Sequence, residues 1–474
     1  MTDHGSVDPA GIAPSHATRR ARLLAAVGWA DLWVGAVALA AAGRILRLID
    51  RHAVNVPFWD QFSLYQALAR DTSAWGLFRW QHGPHRQGLP FLLVAALARA
   101  TDWNARGDAF LTGALSCTAA ALALWLRRRL SGPFHAADAA IPLLVLTPAQ
   151  YGIFIHTPNP SHGAGPLVLL LALCLAFTAE RRALRYPLLV AIDFVLVHTG
   201  FGMIAAPLVP ALLGACALCD ARSSGARAAV LPAVCALLAL ASAALFWVGY
   251  DTRDLAEVAA PAPFAAYAVY VALMFANVLG LKGGGVLALL GGSLAAVAAL
   301  AVAAEQLVRL LRADPGAPRR MAILALTSFS LLFAAATAYG RIALGFPGAQ
   351  STRYVPLLVP AFLGVYLRLQ EVRRLRLRAA LLGASALAIA LAGVPMRASE
   401  ARFMEHLSRG KRAWVAAYLA TGDVAQANAR AGLRIFPFDD PGVPQLLEYM
   451  RERRLGFFAG VQSPSAGGAL SPSR

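Results

Sequence analysis

The most constraining feature of the sequence is the repeated occurrence of apolar runs close to 20 residues long. A helix needs about 20 apolar residues to cross a hydrocarbon core about 30 Å thick. Hydrophobic residues make up 58% and charged residues 14% of the 474 residues, so a water-soluble chain could not bury all of these runs. The sequence therefore predicts an all-α integral membrane protein. The longest runs are 109–126, 163–179, 228–249, 286–308, 321–338 and 378–395.

The net charge of +18 would also suit a protein that binds nucleic acid. The arginines, however, stand at the ends of apolar runs, as they do in the cytoplasmic loops of membrane proteins. Examples are Arg127–Arg129 after the run 109–126, and Arg181 and Arg182 after the run 163–179. We therefore expect membrane lipids, and no nucleic acid, as partners.

The arginine positions also predict how the chain is threaded. Arg19, Arg20 and Arg22 place an N-terminal segment, 1–22, in the cytoplasm. A polytopic domain, 23–395, follows with about eleven transmembrane helices. The predicted spans are 23–46, 108–126, 139–155, 163–179, 186–201, 203–219, 228–249, 286–308, 321–338, 355–369 and 378–395.

Residues 263–282 are apolar but contain Tyr267, Tyr270 and Lys282, which favour a helix at the outer membrane interface. A transmembrane span at 263–282 would invert the orientation of the chain after it and place the later arginine clusters on the outer side. Residues 396–461 are then expected to form an outer-face helical appendage, and 462–474 a disordered tail. The C-terminus is predicted to be extracytoplasmic.

The first outer loop, 47–107, carries the polar and aromatic motifs Pro57-Phe58-Trp59-Asp60-Gln61 and His82-Gly83-Pro84-His85-Arg86. A loop of this length is uncommon unless it has a function. Helices over 61–70 and 88–101 would bring the two motifs together. A carboxylate in a semi-apolar cleft can act as a general base, while Arg and His can neutralise a phosphate leaving group. The alternatives are that Asp60 caps a helix and that His82 and His85 are ordinary interfacial residues.

Further polar residues are predicted on the same outer face. Arg341 and Arg353, which Tyr354 follows, are arginines on the outer side, where arginine is usually rare. A guanidinium group binds phosphate bidentately, so these residues could bind a lipid phosphate. Anchoring to lipid headgroups is the alternative. The segment from His156 to His162 could contact sugar hydroxyls, with His198 nearby or simply packed within a helix.

Two aspartates, Asp31 and Asp193, fall within predicted spans, where ionisable groups are costly. We interpret Asp31 as structurally paired within the bundle. Asp193 lies in the middle of its span, and it is the residue that a proton-coupled transporter would use.

The two loop motifs, together with Tyr339-Gly340-Arg341, Gly345, Ser351-Thr352-Arg353-Tyr354, Phe436-Pro437 and the stretch from Leu446 to Phe458, resemble the GT-C superfamily of membrane glycosyltransferases. More narrowly, they resemble bacterial members with a "PFWDxW…HxxHR" first loop. The resemblance touches most of residues 20–460. It implies a multi-pass protein of the bacterial inner (plasma) membrane.

The resemblance also implies a function. The protein would transfer a sugar from a polyprenyl-phosphate donor to a lipid or glycan acceptor of the cell envelope, on the outer face. Asp60 would be the general base, with Arg86, Arg341, Arg353 and Tyr354 at the donor phosphate. Trp59, Gln61, His82, His85, His156 and His162 would bind substrate.

The sequence departs from many GT-C members in having one acidic residue where they have a pair. No metal ligand set is predicted, and a divalent metal ion stays an open alternative. Two other functional hypotheses are a polytopic transporter or lipid flippase, and a non-catalytic assembly factor with a degenerate transferase fold.

Overall fold

The structure is a computed structural model that describes residues 28–70, 72–253, 262–312, 314 and 316–460. The predicted segments 1–22 and 462–474 lie outside these residues. The described part is helical almost throughout. Its β structure is one short antiparallel ribbon of β1 (Gln81–His82) and β2 (His85–Arg86).

The α-helices are α1 (Trp29–His52), α2 (Asp60–Ala69), α3 (Ala74–Arg79), α4 (Gly88–Ala100), α5 (Arg106–Ser131), α6 (Ala140–Val145), α7 (Ala164–Phe177), α8 (Arg182–Val197), α9 (Ala205–Ser224), α10 (Ala226–Trp247), α11 (Phe264–Val278), α12 (Val286–Leu311), α13 (Ala317–Arg341), α14 (Phe346–Ala349), α15 (Val355–Leu369), α16 (Leu375–Gly393), α17 (Ala398–Thr421), α18 (Val424–Ala431) and α19 (Gly442–Glu452).

Seven helical segments of the described chain are long and apolar enough to cross a membrane. Their exposed side chains are largely apolar, as on helix α12, where Leu287 and Leu294 are 77% and 73% exposed. Such surfaces are stable in lipid and not in water. The chain is therefore a helical multi-pass membrane protein. The segments are Trp29–His52, Arg106–Ser131, Gly200–Ser224, Ala226–Trp247, Val286–Leu311, Ala317–Leu344 and Leu375–Thr421.

The third predicted span, 139–155, is not a continuous helix. It consists of a 3-10 turn at Ala136–Ala139, the six-residue helix α6 and a second 3-10 turn at Pro148–Ile153. Proline has no N–H to continue a helix and disfavours a helical residue before it, so Pro148 ends the helical path. The second turn also packs closely on the segment after helix α14: a Cβ on Gly152 would lie 2.2 Å from Thr352 Oγ1.

Polar groups gather at two opposite ends of the helix bundle. The basic end holds ion pairs such as Arg127–Asp138, at 2.8 Å and with both side chains fully buried, and Arg319–Glu371 at 2.7 Å. The site end comprises residues 53–87, 147–163, 342–354 and 394–460. Helix α5 runs from the site end at Arg106 to the basic end at Ser131.

The region 263–282 is enclosed by protein in part: Phe264 at its beginning is 86% exposed. Helix α11 covers Phe264–Val278, and its second half is buried. It packs closely on helix α12, where a Cβ on Gly292 would lie 1.8 Å from the Ala272 carbonyl oxygen. Asn277, near the end of helix α11, donates a hydrogen bond to Ser351 O at 3.1 Å, so this helix supports the loop before helix α15.

The predicted appendage, described here to residue 460, shares one core with the first loop. Trp59 N donates to Ile435 O at 3.1 Å, and Lys411 Nζ donates to Ile155 O at 2.9 Å. Trp414 at the centre of helix α17 is fully buried. The C-terminal helices α17–α19 therefore hold the loop motifs in place instead of standing apart from them.

Candidate functional site

The site begins at a strained backbone position before Asp60. Trp59 has φ 52° and ψ −120°, values that residues with a side chain rarely adopt. The hydrogen bond to Ile435 and the packing of its indole 4.8 Å from the His156 ring hold Trp59 in this conformation. Asp60 is the first residue of helix α2, Trp59 occupies the capping position, and no side-chain cap is formed. The capping alternative for Asp60 is therefore wrong.

The Asp60 carboxylate lies at the centre of a group that we call the Asp60 cluster: Asp60, His82, His162 and Arg353. Arg353 Nη1 is 3.3 Å from Oδ2, while His82 Nε2 and His162 Nδ1 are 3.9 Å from Oδ1 and Oδ2. The side chains of Asp60 and Arg353 are 22% and 32% exposed. A polar ligand can therefore reach the charged pair.

The hydrogen bonds of Asn159 define the tautomer of His162. Asn159 Oδ1 accepts from Ser161 N at 2.9 Å, which places the Asn159 amide nitrogen 3.3 Å from His162 Nε2. Because an amide nitrogen only donates, Nε2 must accept, and the proton of a neutral His162 lies on Nδ1. That N–H points towards the Asp60 carboxylate.

The pKa values of the cluster favour an anionic Asp60 beside a neutral His162. Burial alone would raise the pKa of Asp60, but His82, His162 and Arg353 together hold it well below its usual range. Burial lowers the pKa of His162 to about 3, and the opposing attraction of Asp60 is weaker. At neutral pH the Asp60 carboxylate is therefore an anion beside the Arg353 cation, and His162 is neutral.

His85 and Arg341 flank the cluster. The His85 ring is buried between His162, 5.5 Å away, and Phe201, 4.1 Å away, and burial holds its pKa well below the ordinary value. Arg341 is exposed and close enough for its charge to lower the pKa of both histidines further. Arg341 is therefore a second cation beside the histidines of the site.

Three further sequence-predicted residues, Arg86, Gln61 and Tyr354, also lie outside the cluster. The Arg86 guanidinium donates to Phe246 O and Val248 O, both at 2.8 Å, which occupies it in joining the ribbon to helix α10. Gln61 donates to Asp108 Oδ2 at 2.8 Å and joins helix α2 to helix α5. Tyr354 is buried, with its ring 5.9 Å from that of Phe333.

A cavity of about 370 Å³ lies on the far side of His156 from Trp59. Its charged lining includes Lys282, Arg397 and Glu400, residues that sequence reasoning did not assign to the site. Lys282 is one of two lysines in the chain, and this rarity is the sequence feature that could have marked it as a candidate site residue. Burial lowers the pKa of His156 to about 4, so this histidine lines the cavity as an uncharged side chain at neutral pH. The lining is Tyr151, His156, Lys282, Gln350, Ser351, Thr352, Arg397, Ser399, Glu400 and Phe403.

The remaining candidate residues take structural positions. Asp31 lies in the first turn of helix α1, at the basic end, and pairs with Arg128 at 2.5 Å, so it is at a helix end and not in mid-span. The His198 ring packs on the rings of Phe78 and Phe194, in agreement with the alternative that this histidine is a packed helix residue. Asp193 is fully buried on helix α8, and within the described residues neither of its carboxylate oxygens has a hydrogen-bond partner.

The described residues contain no group of three or more His, Cys, Asp or Glu side chains that could hold a metal ion. At the Asp60 cluster an arginine takes the position beside the carboxylate. The side chains present there therefore do not fit a divalent ion.

Comparison of the chain with protein-family models, with curated proteins and with solved structures gives no match in any of the three.

Gly200 packs closely against the backbone that positions His162 of the Asp60 cluster. Its φ is +51°, and a Cβ would lie 1.6 Å from the backbone oxygen of Ser161, the residue before His162. We expect Gly200→Ala to cost at least about 2 kcal/mol of stability, because left-handed backbone alone costs an alanine about 1–2 kcal/mol. Thermal unfolding in neutral detergent measures this cost.

Gly432→Ala is the matched control for Gly200→Ala. Gly432 has φ +59°, and a Cβ added there would meet nothing within 4 Å, so only the backbone cost of about 1 kcal/mol applies. Equal losses of stability in the two variants would show that the close approach to Ser161 does not matter.

Proposed function

We propose that the protein is a membrane glycosyltransferase that moves a sugar from a polyprenyl-phosphate donor to a cell-envelope acceptor. The observation that supports this most is the accessible Asp60–Arg353 pair, in which a carboxylate and a guanidinium group are 3.3 Å apart. Attack on a phosphate-activated sugar needs both groups: one for the proton of the attacking hydroxyl and one for the leaving phosphate.

The proposed reaction is a displacement at the anomeric carbon. The acceptor hydroxyl oxygen forms a bond to that carbon, and the bond from the carbon to the phosphate oxygen breaks. The bonding electrons leave with the polyprenyl phosphate, whose charge Arg353 and Arg341 would neutralise. Asp60 takes the proton of the acceptor hydroxyl.

A carboxylate with a strongly lowered pKa is a weak base, since a general base works best when its pKa is near the working pH. We propose that the donor reduces this limitation. A phosphate that binds Arg353 competes with Asp60 for the same guanidinium group, and the loss of that partner raises the pKa of Asp60. Donor binding would thus prepare the base that the reaction needs.

The proposal includes the finer topology. About eleven spans, an N-terminus in the cytoplasm and the site end on the outer face of a bacterial plasma membrane would place the Asp60 cluster where polyprenyl-phosphate sugars are available. The ion pairs of arginine at the basic end support this orientation through the positive-inside rule. The cavity beside His156, with Lys282 and Arg397, would receive the acceptor.

Transfer can be tested directly with membranes from cells that overproduce the protein. Incubation with radiolabelled polyprenyl-phosphate sugars should move label into a new lipid or glycan product and release polyprenyl phosphate in equal amount. Membranes with an empty vector are the reference. No transfer from any donor of this class would contradict the proposal.

Arg353→Gln should change the pH dependence as well as the rate. His82 and His162 lower the pKa of Asp60 more than Arg353 does, but Arg353 adds to their effect, so its loss should raise that pKa. Protonation of the carboxylate would then begin at a higher pH. We expect the acid limb of kcat/KM, which reports the free enzyme, to move to higher pH, together with a rise in KM for the donor. An unchanged acid limb would show that Arg353 does not act on Asp60.

A transporter is the second candidate, and Asp193 is the observation that favours it. The polar side chain beside this buried carboxylate is that of Ser242 on helix α10, yet the two make no hydrogen bond of normal length. An uncompensated acid within a membrane protein is often functional. Substrate uptake by proteoliposomes that is lost in Asp193→Asn but kept in Asp60→Asn would favour transport over transfer.

A further inference from the structure

A groove of about 660 Å³ lies between the end of helix α1 and the beginning of helix α17, at the site end. We call it the arginine groove. None of its lining residues belongs to the Asp60 cluster. Its charged lining residues are Arg44, Arg47, Arg51, Arg402, Glu405 and Arg409.

The sequence spacing explains why these charges converge. On helix α1 the arginines occur at positions 44, 47 and 51, and on helix α17 the charged residues occur at 402, 405 and 409. Residues separated by three and four positions share one face of a helix. Each helix therefore presents one row of charged side chains to the groove.

The two rows do not neutralise each other, because five arginines face the single acid Glu405. Glu405 already pairs with Arg409 at 3.3 Å. Arg44 is held by main-chain oxygens, including Val394 O at 2.9 Å. The groove therefore has an excess of positive charge. Like charges at these spacings repel, and a bound anion would reduce this repulsion.

Three guanidinium groups are available to such an anion. Arg47, Arg51 and Arg402 are exposed, and within the described residues no hydrogen bond or ion pair involves their guanidinium nitrogens. A guanidinium group binds a phosphate through two parallel hydrogen bonds. The groove is therefore suited to a phosphate group.

The position of the groove indicates the kind of phosphate compound. Helix α1 is one of the candidate spans, and its exposed side includes Leu32, Leu39 and Leu46, each seven residues from the next. The arginines of helix α1 therefore lie around the end of this apolar surface, at positions 44, 47 and 51. Leu48 and Met396 add apolar lining beside the charges. A ligand here can place a phosphate among the arginines while its hydrocarbon chains stay in lipid.

We propose that the arginine groove binds the phosphate headgroup of an anionic lipid. The binding would hold helix α17, and with it the C-terminal helices, against the membrane surface. This site does not depend on the proposed transfer reaction, and it uses arginines other than those near Asp60.

Native mass spectrometry of the purified full-length protein in neutral detergent tests the proposal. Equal amounts of phosphatidylglycerol and phosphatidylcholine are added, and the retained lipid is counted. One arginine near an anionic group contributes about fivefold in affinity. We expect the wild type to retain phosphatidylglycerol preferentially and the double variant Arg47→Gln/Arg51→Gln to lose at least about tenfold of this preference. Equal retention of the two lipids by the wild type would overturn the proposal.

Two controls separate a lost site from a damaged protein. Arg430→Gln/Arg434→Gln removes the same charge from the C-terminal helical region, outside the groove, and should keep the preference. Glu405→Gln removes the acid from the groove and should strengthen the preference about two- to fivefold, a gain that misfolding cannot produce. No gain in Glu405→Gln would count against the proposal.

The source of the phosphate is tested by competition. Inorganic phosphate at millimolar concentration offers the same charge without hydrocarbon chains. We expect it to leave phosphatidylglycerol bound. Displacement of the lipid by inorganic phosphate would show a site for free anions and overturn the assignment to a lipid headgroup.

Discussion

Asp60→Asn should lower the rate of sugar transfer by about 10²–10⁴-fold, the range attributed to a general base, while the protein still inserts and folds. Asparagine has nearly the same shape as aspartate but cannot accept the acceptor proton. It also leaves Arg353 without its partner at 3.3 Å, which should tighten donor binding and not weaken it. A fall in kcat with an unchanged or lower KM is therefore the expected signature, measured by release of polyprenyl phosphate.

Asp102→Asn is the matched control for Asp60→Asn. Asp102 is exposed on the turn after helix α4, with φ 46°, a backbone conformation that asparagine tolerates well. The same chemical change there should leave the transfer rate near that of the wild type. Full activity in Asp60→Asn, or an equal loss in both variants, would remove Asp60 from the mechanism.

Arg127→Met should cost about 3–5 kcal/mol of stability, since it leaves the buried Asp138 without its cation. The two side chains are 2.8 Å apart and fully buried. Tyr366 Oη and Gln370 Nε2 also donate to Asp138, at 2.9 and 3.1 Å, which places the expected cost near the lower end of this range. Thermal unfolding in neutral detergent measures the change in Tm.

The neighbouring residue Arg128 gives the control for Arg127→Met. It pairs with Asp31, but its side chain is 50% exposed, and exposed pairs are worth about 0–1 kcal/mol. Arg128→Gln should therefore unfold close to the wild type. Adding Asp138→Asn to Arg127→Met should recover part of the lost stability, because the unpaired charge is removed. Equal Tm values for the two single variants would contradict the importance of burial.

Much of the helical architecture follows from hydropathy. The described residues include seven apolar helices of the required length, and most of them coincide with runs that the sequence shows as near-continuous apolar residues. Helix α6 and its flanking turns were not predictable in this way, because hydropathy does not report where Pro148 interrupts the helix. The burial of the second half of helix α11 was not predictable for a similar reason, because it accompanies the close approach that Gly292 allows.

The Asp60 cluster was predictable in part. Asp60 and His82 belong to one loop, so their proximity follows from a short path through helices α2 and α3. His162 and Arg353 come from distant parts of the chain, and only the packed bundle brings them to the same carboxylate. The contacts of Arg86 were not predictable from its motif. Arg86 directly follows His85, yet its guanidinium group donates to main-chain oxygens of helix α10 and of the residue after that helix.

The most direct test of the account is a comparison of cell-envelope glycans by mass spectrometry. Cells that lack the gene are complemented with the wild type, Asp60→Asn or Asp102→Asn, and the amount of each protein in the membrane is checked. We expect one glycan to be missing a sugar in the deletion strain and in the Asp60→Asn strain, and to be complete with the wild type and Asp102→Asn. Identical glycans in all four strains would contradict the proposed transfer.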